Sequence, residues 1–370
     1  MTIHHEKAMT LWPPTCHGRW MGSEYVEGLV SVVIPTYNRG HRLVQTLDSV
    51  YAQTYRPIEI LVVDDGSTDD TPDILAEWRA EHSADPSFCI AFFRQENRGA
   101  PAARNRGAIE SHGEYIHFWD CEDVMHPKKL EKQVDVAKLH HADIVVCNVG
   151  CFRDAPGDMA KVWKYGSRTD VCQEPAAVMN AWVTGGGWGT LGVLIRRTTA
   201  CAAGPWRESL SRYQDLEFIS RAAICADAAA GVGEALSFAR ANAEPGCISS
   251  DISEPALDSM IEACTAIRDN LVKSGRMSRG TQLLLHCSFV GTMNRALKGG
   301  HREVALQACQ AALELAPPDR PFRRVALRAY LPVIRLLNRR ALVALSKTVN
   351  FLNAMANTVR IKRPATPSEA

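Results

Sequence analysis

The sequence lacks the features that mark several large classes of protein. None of its twelve cysteines form a Cys-x-x-Cys pair, so we interpret them as small buried hydrophobic residues in a reducing compartment. The formal net charge is only +1, which argues against binding to nucleic acid. No apolar run reaches the ~18 residues of a membrane span, and the N-terminus lacks the apolar core of a secretory signal. These absences predict a cytoplasmic protein.

What the sequence does contain is an alternation of strand and helix patterns. Short apolar runs rich in β-branched residues predict buried strands, and apolar residues at helical spacing predict the helices between them. The strands are predicted over residues 29–34, 58–63, 88–93, 115–119 and 143–149, and the helices over 72–82, 100–111 and 127–140. This alternation predicts an α/β fold with a mostly parallel central sheet covered on both faces.

The hydropathy pattern divides the chain into three parts. Residues 1–28 show no periodicity and are interpreted as a loose leader, whereas residues 29–250 carry the α/β pattern. Residues 251–370 are helical in pattern, with a break predicted at Gly299-Gly300. We therefore predict one α/β domain followed by an all-helical extension.

An acidic run, Asp120-Cys121-Glu122-Asp123, follows one of the predicted strands. Clustered carboxylates are costly unless a positive group lies among them. Mg²⁺ or Mn²⁺ prefers oxygen ligands and would also bridge a diphosphate. Alternatively, the run is a solvated acidic turn before the helix that starts near Pro127. The run alone leaves both interpretations open.

Three further polar clusters have a structural explanation as well as a functional one. Asp64 and Asp65 directly follow an apolar strand, so they are either turn residues or ligands. Arg98 and Arg104 are suited to contact phosphates, or simply begin a surface helix. Asp215 lies near the start of a helix, where an acidic residue is expected as a cap. Parallel strands would bring residues 35–38, the cluster of Asp64 and Asp65, and the acidic run to one edge of the sheet, because each of them follows a strand.

The order of these motifs resembles that of the family 2 glycosyltransferases, which have the GT-A fold. The similarity extends over residues 29 to about 240 and does not cover the C-terminal third. It is carried by the strings VSVVIPTYNR, VVDDGSTDDT, ENRGAPAARNRG, DCED and QDLEFISR. The resemblance implies a GT-A nucleotide-sugar-binding fold and transfer of a sugar from a nucleotide-sugar donor.

The resemblance also implies a role for each matching residue. Asp123 and Glu122 take the place of metal ligands, with Glu122 where the family usually has aspartate. Asp215 matches the catalytic base, and Gln214 beside it is placed near the sugar or acceptor. The residues that match positions near the nucleotide or its diphosphate are Pro35, Tyr37, Asp65, Arg98, Arg104 and Asp120.

Two positions bear on the site without a clear match. Trp188 follows a run of glycines and could offer a flat face to a sugar ring, or belong to the core. Near the last predicted strand the family often shows an Arg-x-His pattern, but this chain has Arg240-Ala241-Asn242. Asn242 stands in the place of the histidine, so the resemblance implies a site without that side chain.

The leading hypothesis is an inverting, Mn²⁺- or Mg²⁺-dependent glycosyltransferase acting on a glycan or lipid-linked acceptor. A UDP-sugar is the favoured donor, because an aspartate at the position of Asp65 suits a uracil edge. The alternative is a non-catalytic nucleotide-sugar-binding or scaffold protein of the same fold. A nucleotidyltransferase ranks last, because residues 35–38 are not a glycine-rich phosphate loop.

The C-terminal segment is strongly basic. Residues 320–363 contain eleven Lys and Arg and no Asp or Glu. Apolar residues fall on one helical stripe that includes Ile334, Leu337, Ala341 and Leu345. Such a stripe can lie on an anionic membrane surface, which would place the protein on the inner face of the membrane. It can equally pack on the catalytic domain or on a second subunit.

Overall fold

The structure is a computed structural model, and it contains nine strands and eleven α-helices within the residues that it describes. Those residues are 20–82, 85, 87–152, 159–163, 171–184, 189–241, 251–316, 321–338 and 340–346. The strands are β1 (Val26–Thr36), β2 (Ile58–Asp64), β3 (Phe88–Arg94), β4 (Gly113–Phe118), β5 (Val124–Met125), β6 (Ile144–Phe152), β7 (Met159–Trp163), β8 (Val193–Arg196) and β9 (Ala229–Arg240).

Helices occupy most of the connections and the whole C-terminal part of the described chain. Those of the first part are α1 (Gly40–Tyr51), α2 (Thr71–His82), α3 (Ala100–Ile109), α4 (Lys129–His140), α5 (Pro175–Thr184), α6 (Arg197–Ala203) and α7 (Gln214–Cys225). Those of the C-terminal part are α8 (Glu254–Lys273), α9 (Arg279–Gly299), α10 (Arg302–Glu314) and α11 (Pro321–Leu336). The predicted α/β class with a helical extension is confirmed.

The sheet is mixed rather than mostly parallel. Its order is β3-β2-β1-β4-β8-β6-β9-β5, with β7 paired to β6. The half formed by β3, β2, β1 and β4 is parallel, as predicted. Beyond it, β8 pairs antiparallel with both β4 and β6, and β6 pairs parallel with β9. The difference arises because the short strand β8 inserts between β4 and β6 in the opposite direction.

Both faces of the sheet are covered, which explains why the strands appear in the sequence as continuous apolar runs. In β1, Val30, Val32 and Ile34 contribute to a core with α1, α2 and α4. Val33 points to the other face and belongs to a second core that includes residues of α5 to α11. Because successive side chains of a strand point to opposite faces of the sheet, β1 contributes to two separate hydrophobic cores.

The C-terminal helices share the second core with the α/β part of the chain. Leu257, Phe289 and Ile334 belong to the same buried cluster as Phe218 of α7. The predicted break is present, because α9 ends before Gly300, which has a left-handed φ of 77°. Trp20, within the predicted leader, is also buried in this cluster. No helix among the described residues has both the length and the apolarity to cross a membrane.

Candidate active site

The ends of neighbouring strands bring the predicted polar clusters to one edge of the sheet. Thr36 at the end of β1 is in register with Asp64 at the end of β2. The amide of Trp119, after β4, donates to the carbonyl of Val33 at 2.9 Å. Tyr37, Asp65 and the acidic run therefore follow strands that end side by side, as expected for ligand sites in such sheets.

Asp65 is buried and builds the loop that leads into α3. Its Oδ1 accepts from Gln95 Nε2 at 2.8 Å and from the amide of Arg98 at 3.0 Å, and its Oδ2 accepts from the amide of Gly99 at 2.7 Å. These bonds satisfy amide groups at the start of the helix. Asp65 thus has the structural role of a turn residue that the sequence allowed. Its contact with a nucleotide base remains a prediction.

The loop after β1 is tied to the loop after β2. The amide of Asn38 donates to Ser67 Oγ at 2.9 Å, and Asn38 Oδ1 accepts from the amide of Thr68 at 2.8 Å. This fixes the loop that carries Tyr37, whose side chain is 44% exposed. Pro35 is buried within β1, so Tyr37 is the residue of this loop that offers a surface to a ligand.

Arg104, on α3, connects two parts of the candidate site that are distant in sequence. Its Nη1 donates to Gln214 Oε1 and its Nη2 to Asp120 Oδ1, both at 2.7 Å. Its guanidinium carbon lies 4.7 Å from the ring centre of Trp206, a cation–π distance. Trp206 is itself stacked on Phe218 with 4.3 Å between ring centres. The buried Arg104 side chain thus joins the acidic run to the start of α7.

Asp215 occupies the first turn of α7, one residue after Gln214. Tyr213 precedes the helix with a left-handed φ of 56°, which turns the chain sharply into it. Burial raises the pKa of the Asp215 carboxyl, the charge of Asp120 raises it further, and the charge of Arg104 opposes both. A raised carboxyl pKa is what a general base at neutral pH requires.

Asp123 is held firmly and carries unfavourable charge. Its Oδ1 accepts from the amide of Arg240 at 2.9 Å, and its backbone carbonyl accepts from Thr46 Oγ1 at 3.0 Å. Burial, together with the nearby charge of Asp120, raises the pKa of the Asp123 carboxyl well above its ordinary value. Negative charge at this position is therefore only partly compensated by the protein.

Glu122 has a different environment from the other acidic residues of the run. Its carboxylate forms an ion pair with Arg39 Nε, and its backbone carbonyl accepts from Arg240 Nε at 3.2 Å. Arg39 lies in the loop after β1, so this pair closes one side of the acidic run. The side chain of Glu122 is already neutralised, and its role as a metal ligand remains a prediction.

The acidic run fits a divalent cation only in part. Among the residues that the structure describes, no three His, Cys, Asp or Glu side chains form a group that could hold a metal. Mg²⁺ commonly uses one or two carboxylates and completes its shell with substrate phosphates and water. Asp120 and Asp123, whose charges repel each other, suit that kind of site. Trp188 and Asn242 lie outside the described residues.

Several residues around the site were not singled out from the sequence. Lys129 is buried behind the acidic run with its Nζ 5.7 Å from the ring of Trp119, and burial lowers its pKa to about 8. Glu208 forms an ion pair at 2.6 Å with Arg98, whose side chain is 62% exposed. The partner of Glu208 is 110 residues away and the burial of Lys129 depends on tertiary packing, so only the presence of a charge in a predicted helix or loop could have drawn attention to them.

Residues 31–199 match the family model described as Glycosyl transferase family 2. These residues are similar in sequence to the family 2 glycosyltransferases. The resemblance inferred from the motifs is therefore confirmed. The matched range includes Asp65, Arg104 and the acidic run but ends before Asp215, so the role of Asp215 depends on its position in the structure.

Curated relatives of this domain are themselves named glycosyltransferases. The chain is 32% identical over 151 residues to glycosyltransferase GlyG of Streptococcus pneumoniae, covering 40% of this chain and 48% of that protein. It is 30% identical over 193 residues to the uncharacterized glycosyltransferase YibD of Escherichia coli, covering 52% of each. The chain thus spans about half the length of these relatives.

Solved structures show the same fold at lower identity. TarS 1-349 of S. aureus, in complex with UDP-GlcNAc, superposes with a TM-score of 0.65 at 18% identity, covering 88% of this chain and 92% of that one. The mannosyltransferase PcManGT of Pyrobaculum calidifontis, in complex with GDP-Man and Mn²⁺, gives a TM-score of 0.52 at 18% identity, covering 94% and 92%. The predicted GT-A fold is confirmed.

Proposed function

We propose that the protein is an inverting glycosyltransferase that transfers a sugar from a UDP-sugar to a hydroxyl of a glycan or lipid-linked acceptor. The observation that carries the proposal is the link made by Arg104. One guanidinium joins Asp120, on the side expected for the donor diphosphate, to Gln214 next to Asp215. A transferase needs a leaving-group site and a base close together, and the contacts of Arg104 with Asp120 and Gln214 support this arrangement.

On the donor side, the exposed Tyr37 ring would stack on or line the nucleotide base, and Asp65 with Arg98 would complete that end of the site. Asp120 and Asp123 would hold Mn²⁺ or Mg²⁺. The bound cation would supply positive charge to the departing diphosphate. Glu122 would keep Arg39 beside the acidic run rather than contact the cation itself.

On the acceptor side, Asp215 would act as the general base. Its carboxylate accepts the proton of the acceptor hydroxyl while that oxygen forms a bond to the anomeric carbon. The bond from this carbon to the diphosphate oxygen breaks on the opposite face, so the anomeric configuration inverts. The raised pKa of Asp215 favours this proton transfer, and the charge of Arg104 lowers that pKa and so favours the ionised carboxylate.

The choice of UDP is supported by one relative and left open by another. TarS, which shares the fold, was crystallised with UDP-GlcNAc, whereas PcManGT, also of this fold, was crystallised with GDP-Man. The proposed preference for UDP therefore depends on Asp65. Its carboxylate would accept a further hydrogen bond from the uracil, in addition to those from three donors of the protein.

The proposal is tested by release of nucleoside diphosphate from a panel of nucleotide sugars with Mn²⁺ or Mg²⁺. Asp215→Asn should lower turnover by about a thousandfold, the contribution expected of a general base, while binding of UDP changes little. Asp73→Asn, a change at an exposed position of α2, is the matched control. Normal turnover by the Asp215 variant would exclude it as the base.

A second result would decide against catalysis altogether. If the protein binds nucleotide sugars in a metal-dependent way but releases no diphosphate with any donor and acceptor of a broad panel, it is a non-catalytic nucleotide-sugar-binding protein. Calorimetry with UDP and Mn²⁺ would show this binding directly. The same titration would also show whether UDP is preferred over GDP.

A further inference from the structure

Helix α11 buries Ile334, the first residue of the apolar stripe that the sequence pattern suggested for a membrane. Ile334 is fully buried and Leu327 nearly so, and both belong to the core shared with α8 to α10. Leu337 packs against the same core, and its carbonyl accepts a hydrogen bond from Arg302 at the start of α10. These residues therefore pack on the protein itself, which is one of the two alternatives that the sequence left open.

The opposite half of α11 is exposed and contains a second apolar stripe. Leu336 is 85% exposed, the highest value among the large hydrophobic residues in the part of the chain that the structure describes. Val325 is 63% exposed and Val333 39% exposed. At 3.6 residues per turn these three side chains fall on one side of the helix, with the exposed Pro332 among them. Exposed apolar side chains concentrated in this way mark an interaction surface.

A line of arginines runs beside this apolar stripe. Arg324, Arg328 and Arg335 are exposed and fall close together around the helix axis, next to the apolar side chains and away from the core. No Asp or Glu occurs between residues 320 and 363, so the helix itself offers no acidic neighbour to these cations. The exposed half of α11 is therefore apolar along one side and purely cationic along the other.

We propose that this half of α11 lies on an anionic lipid surface. We call it the basic-apolar face and define it by Arg324, Val325, Arg328, Val333, Arg335 and Leu336. Apolar side chains can enter the boundary between headgroups and acyl chains, while arginines reach along it to lipid phosphates. Anionic lipids supply the complementary charge.

A lipid surface fits this face better than a protein partner does. The helix has 16 residues, so it is about 24 Å long and half of its surface is on the order of 300 Å². A stable protein interface buries roughly 800 Å² on each partner and is centred on aromatic or other large anchors. The six residues that define the basic-apolar face include no aromatic anchor, and the face lacks that area, whereas a lipid surface demands neither.

This inference goes beyond the proposed function and does not depend on it. Membrane binding and sugar transfer are measured separately, so either can fail without the other. The residues of the basic-apolar face lie on α11, and none of them belongs to the candidate active site. Variants of this face are therefore expected to release diphosphate from a soluble donor and acceptor at the wild-type rate.

Flotation of the full chain with vesicles tests the proposal. The protein should bind vesicles that contain about one third phosphatidylglycerol, and binding should weaken in high salt and be absent with phosphatidylcholine alone. Arg328→Gln with Arg335→Gln should weaken binding by about 30-fold, since each basic side chain near an anionic surface contributes roughly a factor of five. Leu336→Ser should weaken it by about tenfold.

Matched controls lie on other exposed helix surfaces. Arg79→Gln with Lys138→Gln removes the same charge from α2 and α4, and Leu139→Ser removes an apolar side chain that is 73% exposed. These variants should bind vesicles as the wild type does. Equal losses in the controls, or no binding of the wild type to anionic vesicles, would overturn the proposal. So would a dimer in light scattering that Leu336→Ser dissociates, because the face would then belong to a second copy.

Discussion

Arg104 Nη2 and Asp120 Oδ1 are 2.7 Å apart and join two residues that lie 16 positions apart in the chain. The Arg104 side chain is almost fully buried, whereas that of Asp120 is 43% exposed. The positive charge is thus held inside the protein while the negative partner faces outward, toward the expected position of the diphosphate. The same guanidinium lowers the pKa of Asp215, which Asp120 raises.

The first prediction concerns the pH dependence set by Arg104. Arg104→Gln removes the charge that favours ionised Asp215, so the pKa of Asp215 should rise further. The acidic limb of the pH–rate profile should therefore move to higher pH, and turnover at neutral pH should fall by at least about tenfold. Arg106→Gln, on the same helix with its side chain half exposed, should keep the wild-type profile. An unshifted limb in the Arg104 variant would contradict the assignment.

The second prediction concerns the charge on Asp123. Because its pKa is raised in the folded protein, the folded state holds a proton that the unfolded state has lost, and stability falls as pH rises above the ordinary carboxyl pKa. Asp123→Asn removes this loss of stability and keeps a side-chain oxygen that can accept a hydrogen bond from the amide of Arg240. Without metal, the variant should melt higher at neutral pH, on the order of 2 °C.

The same variant should lose the response to metal. Mn²⁺ should raise the melting temperature of the wild type and leave that of Asp123→Asn unchanged, since binding to the folded state alone is stabilising. Melting curves in Mn²⁺ and in chelator make the comparison, with Asp73→Asn as the control. A normal Mn²⁺ response in the Asp123 variant would remove Asp123 from the proposed site.

The third prediction separates Glu122 from its neighbours. Since Glu122 is neutralised by Arg39, Glu122→Gln should weaken Mn²⁺ binding by about tenfold at most, the lower end of what a residue outside the ligand shell contributes, whereas loss of a direct carboxylate ligand should cost more than about 100-fold. Titration calorimetry with Mn²⁺ and UDP on both variants measures the difference. A loss of affinity in Glu122→Gln as large as that in Asp123→Asn would make Glu122 a metal ligand.

The fourth prediction concerns the buried Lys129. Burial lowers its pKa from 10.5 to about 8, so above this pH the folded protein has released a proton that the unfolded chain still binds. Wild-type stability should therefore rise between about pH 8 and 10, by a few kcal/mol at most. Lys129→Met should abolish this rise, and Lys132→Met, at a partly exposed position that pairs with Glu234, should retain it. Urea unfolding across this pH range provides the measurement.

Much of the fold could be predicted because buried strands and helix starts have local signals. Apart from Glu59, the run Ile58–Asp64 is apolar up to its end, and Pro72 marks the first turn of α2 as expected. The two-residue strand β5 could not be predicted, because two residues carry no alternation. The direction of β8 could not be predicted either, since pairing depends on the strands that it meets rather than on its own four residues.

The candidate site was predicted as a set of positions but not as a set of contacts. The sequence indicates that Asp65, Asp120 and Asp215 belong to one edge of the sheet. It does not indicate that Arg104 reaches Gln214, 110 residues away, or that Glu122 turns to Arg39, 83 residues away. Side-chain partners at such separations are determined by tertiary packing, and no local pattern specifies them.

The aromatic support beneath Arg104 has a consequence for how this sequence can change. Trp206 lies flat on Phe218 at an interplanar angle of 9°, and Phe118 meets both rings edge-on. A smaller residue at position 218 would let Trp206 shift. The Arg104 guanidinium that packs on Trp206 would then move away from Asp120. The residues at positions 104, 206 and 218 therefore depend on one another and should be substituted together. In an alignment of homologues, we expect a replacement at one of them to coincide with a replacement at the others.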